Sequence, residues 1–172
     1  MKELFIVILL TCFVACEYQI PELPPETQIG EGTFGCLVNG ELVVTYWDGD
    51  YRPFVDDNPH AVYNPTADRL QIIGYGQNNQ VFKFTVDHPE ANRIAPIDTV
   101  VYYPSKSYGN YYYGGTNLGE ITLTRFDLAK RIVSGTFSFV GHIHYIDTGI
   151  VDYNDFVTVT MGRFDIILNI NN

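Results

Sequence analysis

The sequence predicts an all-β fold: a single antiparallel β-sandwich, with a β-barrel as the alternative arrangement of the same strands. Three observations predict it. Apolar residues recur at every second position in about nine short runs, which is the period of a strand with one buried face. Turn chemistry separates the runs, most clearly at Asn39-Gly40, because a type I′ hairpin turn needs positive φ at both central residues. No segment carries a helical period, and 15 Gly and 9 Pro are scattered along the 172 residues, which excludes a coiled coil.

Residues 1–15 form no part of that fold. Lys2 precedes an apolar run over residues 4–15, too short for a hydrocarbon core that needs about 20 helical residues. Its length is that of a signal-peptide core, which is excluded from fold reasoning. The run ends in Phe13-Val14-Ala15-Cys16. This resembles a bacterial lipobox, cut before a cysteine that becomes lipid-modified. Ala15 and Val14 fit the pattern, and Phe13 departs from the usual leucine. Cys12, after Thr11, is the rival site and fits less well. The resemblance implies a diacylglycerol thioether and an acylated amine on Cys16. With about 0.8 kcal/mol per buried CH₂, stable anchoring takes two chains or more, and that arrangement supplies them. Once Cys16 is lipidated, Cys36 has no cysteine left to pair with inside the mature chain.

Residues 16–33 read as the lipidated cysteine and a tether. Pro21, Pro24 and Pro25 oppose helix and central strand, and Glu17, Glu22, Glu26 and Glu31 favour solvent. An extended Pro-rich spacer rises about 3.1 Å per residue, so the reach is at most ~50 Å.

The folded domain is expected over residues 34–172. FGCLV and ELVVT flank Asn39-Gly40 as the first hairpin, with Phe34, Cys36 and Val38 on one face. Cys36 there is a small core hydrophobe rather than a nucleophile. Residues 46–68 read as a loop broken by Pro53, Pro59 and Pro65. RLQIIGY (69–75) and QVFKFTVD (80–87) make a second hairpin with Phe82, Phe84 and Val86 buried. Residues 88–98 read as a loop with room for one helical turn, and TVVYY (99–103) as a strand. A Tyr/Gly/Asn loop then runs to Gly119. EITLTRF (120–126) and RIVSGTFSFVGHIHY (131–145) follow, the latter with Gly135 and Gly141 as candidate bulges or bends. FVTVTM (156–161) and RFDIIL (163–168) close the chain around Gly162.

The lipobox, the Pro/Glu tether, TFGCLVNGE (33–41), VSGTFSF (133–139) and GRFDI (162–166) together resemble a group of small Bacteroidota envelope lipoproteins of uncharacterised function. The resemblance implies an outer-membrane location and a domain opened by such a hairpin and closed by such strands. It implies no active site, and residues 46–118 take no part in it.

Composition narrows the function classes. Ten Lys and Arg stand against 20 Asp and Glu, a net charge of −10. That opposes nucleic-acid binding, which needs a basic face, and electrostatic docking on anionic lipid. Aromatics make up 15% of the chain, and one cluster stands out at residues 102–117. Tyr108, Tyr111, Tyr112 and Tyr113 are the candidate ligand-binding residues, since tyrosine joins a rigid apolar body to a polar tip at low entropy cost. His142 and His144 share one face of a strand, a weak candidate pair of metal ligands lacking a third, with Asp147 and Asp152 nearest in sequence. Asp48, Asp50, Asp56 and Asp57 are dense but lack the glycine spacing of an EF-hand. No nucleophile elbow, zincin motif or phosphate loop is present. The expectation is a lipid-anchored binding or structural module of the cell envelope for a protein or glycan partner. It needs no cofactor, and no catalytic activity is expected. The alternative is an envelope hydrolase or metal-dependent enzyme.

Overall fold

The computed structural model describes residues 22–45, 58–76, 79–104, 110–115 and 118–171. These residues form eleven strands: β1 (Thr33–Val38), β2 (Glu41–Val44), β3 (His60–Asn64), β4 (Arg69–Gly76), β5 (Gln80–Asp87), β6 (Ile94–Pro96), β7 (Thr99–Tyr103), β8 (Tyr111–Gly115), β9 (Gly119–Asp127), β10 (Ile132–Tyr145) and β11 (Ile150–Ile170). All join one sheet in the order β2-β1-β11-β3-β4-β5-β7-β8-β10-β9-β6. A further pairing of β10 with β11 links the two ends of the run from β11 to β10.

The all-β expectation is met, with one difference in strand direction. Leu168, Asn169 and Ile170 of β11 run parallel to Ala61, Val62 and Tyr63 of β3, so the sheet is mixed. β11 continues past Thr33, where β1 begins, and the edge it exposes there receives β3.

The sheet folds over as a sandwich-like body around a phenylalanine core. Phe34 of β1 stacks on Phe137 of β10 with centroids 5.3 Å apart and meets Phe82 of β5 at 5.2 Å. Phe84 of β5 lies 4.6 Å from Phe137. Each such fully buried side chain stabilises by about 1.5–3 kcal/mol. Two glycines make room for the rings. A Cβ on Gly162 would lie 2.5 Å from the Phe137 ring, and one on Gly74 would collide with the Phe34 ring. Cys36 is fully buried and unpaired, and burial pushes its thiol up to about 12.

The Asn39-Gly40 turn has the positive φ values its sequence predicts, 51° and 84°, and joins β1 to β2 in antiparallel register. Three expected loops contain strands instead. β3 lies between Pro59 and Pro65, β6 is a three-residue edge strand, and β8 is the segment YYYGG of the tyrosine cluster. β8 pairs on one side with β7 and on the other with β10, so its backbone is satisfied by strands on both edges. The two closing strands are one. Met161 takes φ +52°, and both neighbours of β11 shift register at that point. From Phe156 to Thr160 even-numbered residues face outward; after the bulge odd-numbered ones do. An extra residue inverts the alternation without ending the strand, which is why the sequence reads as two runs around Gly162.

Residues 24–32, expected within the solvated tether, lie on the outer face of the sheet as a strap. Arg163 of β11 donates to the Pro24 carbonyl at 3.3 Å and pairs with Glu26 at 3.4 Å. Arg125 of β9 donates to the Gln28 carbonyl. The Gly32 N–H donates to the Asp165 carbonyl at 2.8 Å, and β1 begins at the next residue. Among the described residues, docking contacts are therefore made from Pro24 onward rather than from Phe34.

Candidate functional site

One strand organises the polar and aromatic features. Odd-numbered residues of β10 from Val133 to Gly141 are buried. The even-numbered ones form an outward row: Ser134, Thr136, Ser138, Val140, His142 and His144. Three environments follow one another along that row.

The first is a clasp. Asp165 of β11 stands opposite Ser134 and is only 1% exposed. A carboxylate at that depth needs several donors, and the strap provides them. Thr27 Oγ1 donates at 2.7 Å, the Ile29 N–H at 2.9 Å and the Gly30 N–H at 2.8 Å. From below, Ser134 Oγ donates at 2.6 Å. Burial alone would raise the Asp165 pKa, but the hydrogen bonds from Ser134, Thr27, Ile29 and Gly30 outweigh it and hold the carboxyl below its ordinary value. Gly30 and Gly32, at φ +79° and +76°, give the strap the left-handed turns that bring it back to β1.

The second is an open groove of about 340 Å³ beside the strap. Glu120 and Thr122 of β9, Thr136 and Ser138 of β10, and Arg163 of β11 line it, with Glu26 of the strap as a wall. The bulge turns Met161 outward over its rim.

The third is an aromatic patch. Tyr113 stands beside His142 and Tyr111 beside His144, in register between β8 and β10. Tyr111 and His144 stack at 4.8 Å, and Tyr103 of β7 lies 5.5 Å from Tyr111. Lys83 of β5 sits over the Tyr103 ring at 5.9 Å, a cation–π contact. On the other flank His142 lies 5.1 Å from Tyr153 and 6.3 Å from Phe156 of β11. Tyr153 is 72% exposed and Phe156 54%. Both histidines leave Nδ1 out of solvent and without a hydrogen-bond partner among the described residues.

The structure divides the tyrosines named from sequence. Tyr111 and Tyr113 belong to the outer patch. Tyr112 points the opposite way, stacks with Tyr102 at 6.0 Å and donates to Asp155 at 3.2 Å. Burial and then the Asp155 carboxylate push its phenol up. Tyr112 is thus part of the packing. Tyr108, Cys16 and the acidic stretch from Asp48 to Asp57 lie outside the described residues. His142 and His144 do share a face, with tyrosines as neighbours. Asp152 stands opposite Ile143, on the other face of the ladder. Among the described residues no group of three or more His, Cys, Asp or Glu comes together to hold a metal ion.

Sequence reasoning missed Asp165, Glu120, Thr136 and Ser138. One signal was present: an aspartate in mid-strand opposes β-propensity and asks for a reason.

Comparisons with family models, with curated proteins and with solved structures find no match to this chain.

Proposed function

We propose that the chain is a lipid-anchored cell-envelope protein whose domain binds a protein or glycan partner through the aromatic patch on β7, β8, β10 and β11. One observation carries this reading. Tyr111, Tyr113, His142, His144, Tyr153 and Phe156 gather on the outer face of the sheet, where stability gives no reason for them. Core packing already has its own aromatic set on the inner face. Rigid aromatic side chains of this kind anchor partners at low entropy cost. The lipobox-like Phe13-Val14-Ala15-Cys16 supports the anchor, and the resemblance to Bacteroidota lipoproteins supports the outer membrane as its location.

The experiment is capture from solubilised envelope extracts, beside a glycan array, with the full-length protein and its Tyr111→Ala/Tyr113→Ala variant. The variant is expected to keep the fold and to lose what the parent captures. Equal capture by both would refute the reading. Lipid labelling in cells checks the anchor: it should vanish in Cys16→Ser, and labelling that persists would remove Cys16 from the account.

A further inference from the structure

We propose that the outer face of β10 is one continuous track for a linear, neutral oligosaccharide, with the polar groove and the aromatic patch as successive subsites. The proposal rests on the reading of the patch as a binding surface and specifies its ligand. The geometry is that of a single row. Thr136 and Ser138 of the groove and His142 and His144 of the patch lie on the same side of the same strand, separated only by Val140. Two strands flank the row in succession: β9 places Thr122 beside Thr136 and Glu120 beside Ser138, and β8 places Tyr113 beside His142 and Tyr111 beside His144. Thr136 and His144 are eight positions apart, about 26 Å at roughly 3.3 Å per residue. That length takes several sugar rings in line. Beyond Thr136 the strap crosses the row at Ser134 and Asp165, so the track is closed at that end.

The lining chemistry selects the ligand class. The groove presents three hydroxyls and the Glu120 carboxylate, while Arg163 is already engaged by Glu26 and the Pro24 carbonyl. A hydroxyl-rich ligand both donates and accepts, so it can satisfy this mixture. An apolar chain would leave these groups without partners, at a cost for each one buried. A polyanion would face Glu26 and Glu120 on a chain of net charge −10. A polycation would meet Lys83 beside Tyr103 at the other end. A sugar ring also has an apolar C–H face, which suits aromatic side chains with polar tips.

The test is an array of linear neutral hexasaccharides of gluco-, xylo-, manno- and galacto-type, with the matching trisaccharides, probed with the full-length protein in detergent. Hexagalacturonate and hexalysine serve as charged competitors. At least one hexasaccharide should bind, with its trisaccharide at least tenfold weaker. Its Kd should rise at least tenfold in the groove variant Thr136→Ala/Ser138→Ala and in the patch variant Tyr111→Ala/Tyr113→Ala. Thermal unfolding monitors the fold, and the exposed Glu120→Gln replaces the groove variant should that one unfold. Binding of no hexasaccharide, or tighter binding of hexagalacturonate or hexalysine, overturns the proposal. Loss in the patch variant with none in the groove variant overturns the track and leaves the patch as the binding surface. No loss in either variant overturns both.

Discussion

Replacing Asp165 tests the account of the strap most directly. In Asp165→Ala the buried Ser134 hydroxyl loses its acceptor, and so do Thr27 Oγ1 and the N–H groups of Ile29 and Gly30. Hydrogen bonds to a charged group contribute about 1.5–3 kcal/mol each, and a buried donor left unmade costs about 1–3 kcal/mol. These do not add, because the strap can lift away and return its N–H groups to water. What cannot be relieved is the Ser134 hydroxyl, at 0% exposure, together with the lost docking of the strap. The expected loss is about 2–4 kcal/mol, or roughly 1–2 M in the urea midpoint at ordinary slopes. Urea unfolding of the full-length protein measures it, and limited proteolysis within residues 24–32 reports local release. Acid gives an independent check. The Asp165 pKa is depressed in the folded state, so its contribution is complete above the unfolded carboxylate value of about 3.9. It fades as pH falls through the lower folded value. The gap between parent and Asp165→Asn should therefore close below about pH 4. An unchanged midpoint at pH 7 with a protease-resistant strap in Asp165→Ala would refute the reasoning.

Two further outcomes follow from the core. Gly162→Ala places a methyl 2.5 Å from the Phe137 ring, and overpacking of this kind costs about 1–3 kcal/mol; a thermal midpoint equal to the parent's would show that the ring yields freely. Cys36, with its thiol pushed up to about 12, should resist maleimide in the folded protein at pH 8 and react on unfolding, as read by peptide mass spectrometry. Modification under native conditions would contradict its burial.

Much of the fold was legible because local signals and tertiary structure agree. Asn39-Gly40 announces its turn through φ alone, and the Phe82, Phe84, Val86 row survives as a buried face. Failures came where distant contacts override local chemistry. YYYGG reads as a loop by composition, yet hydrogen bonds from β7 and β10 make it a strand. Met161 inverts the alternation in β11 and disguises one strand as two. The strap is the clearest case: Pro and Glu argue for solvent, and the residue that docks it, Asp165, lies 138 positions beyond Thr27. The site was half legible. Composition pointed at Tyr111 and Tyr113 and at the His142, His144 pair, but their meeting on one face depends on the register of β8 with β10. The polar groove depends on three strands and the strap, and no local pattern carries it.

The clasp also bears on how the domain would hang from the anchor proposed at Cys16. With docking from Pro24 onward, seven residues would separate a lipidated Cys16 from the docked strap, about 25 Å when fully extended. A domain anchored in that way would ride close to the bilayer. Tension between membrane and captured partner would enter the protein at Pro24 and run along the strap. The Arg163 contacts to Pro24 and Glu26 would part first, and the ionic hydrogen bonds at Asp165 would then have to part before the β1 ladder felt the pull.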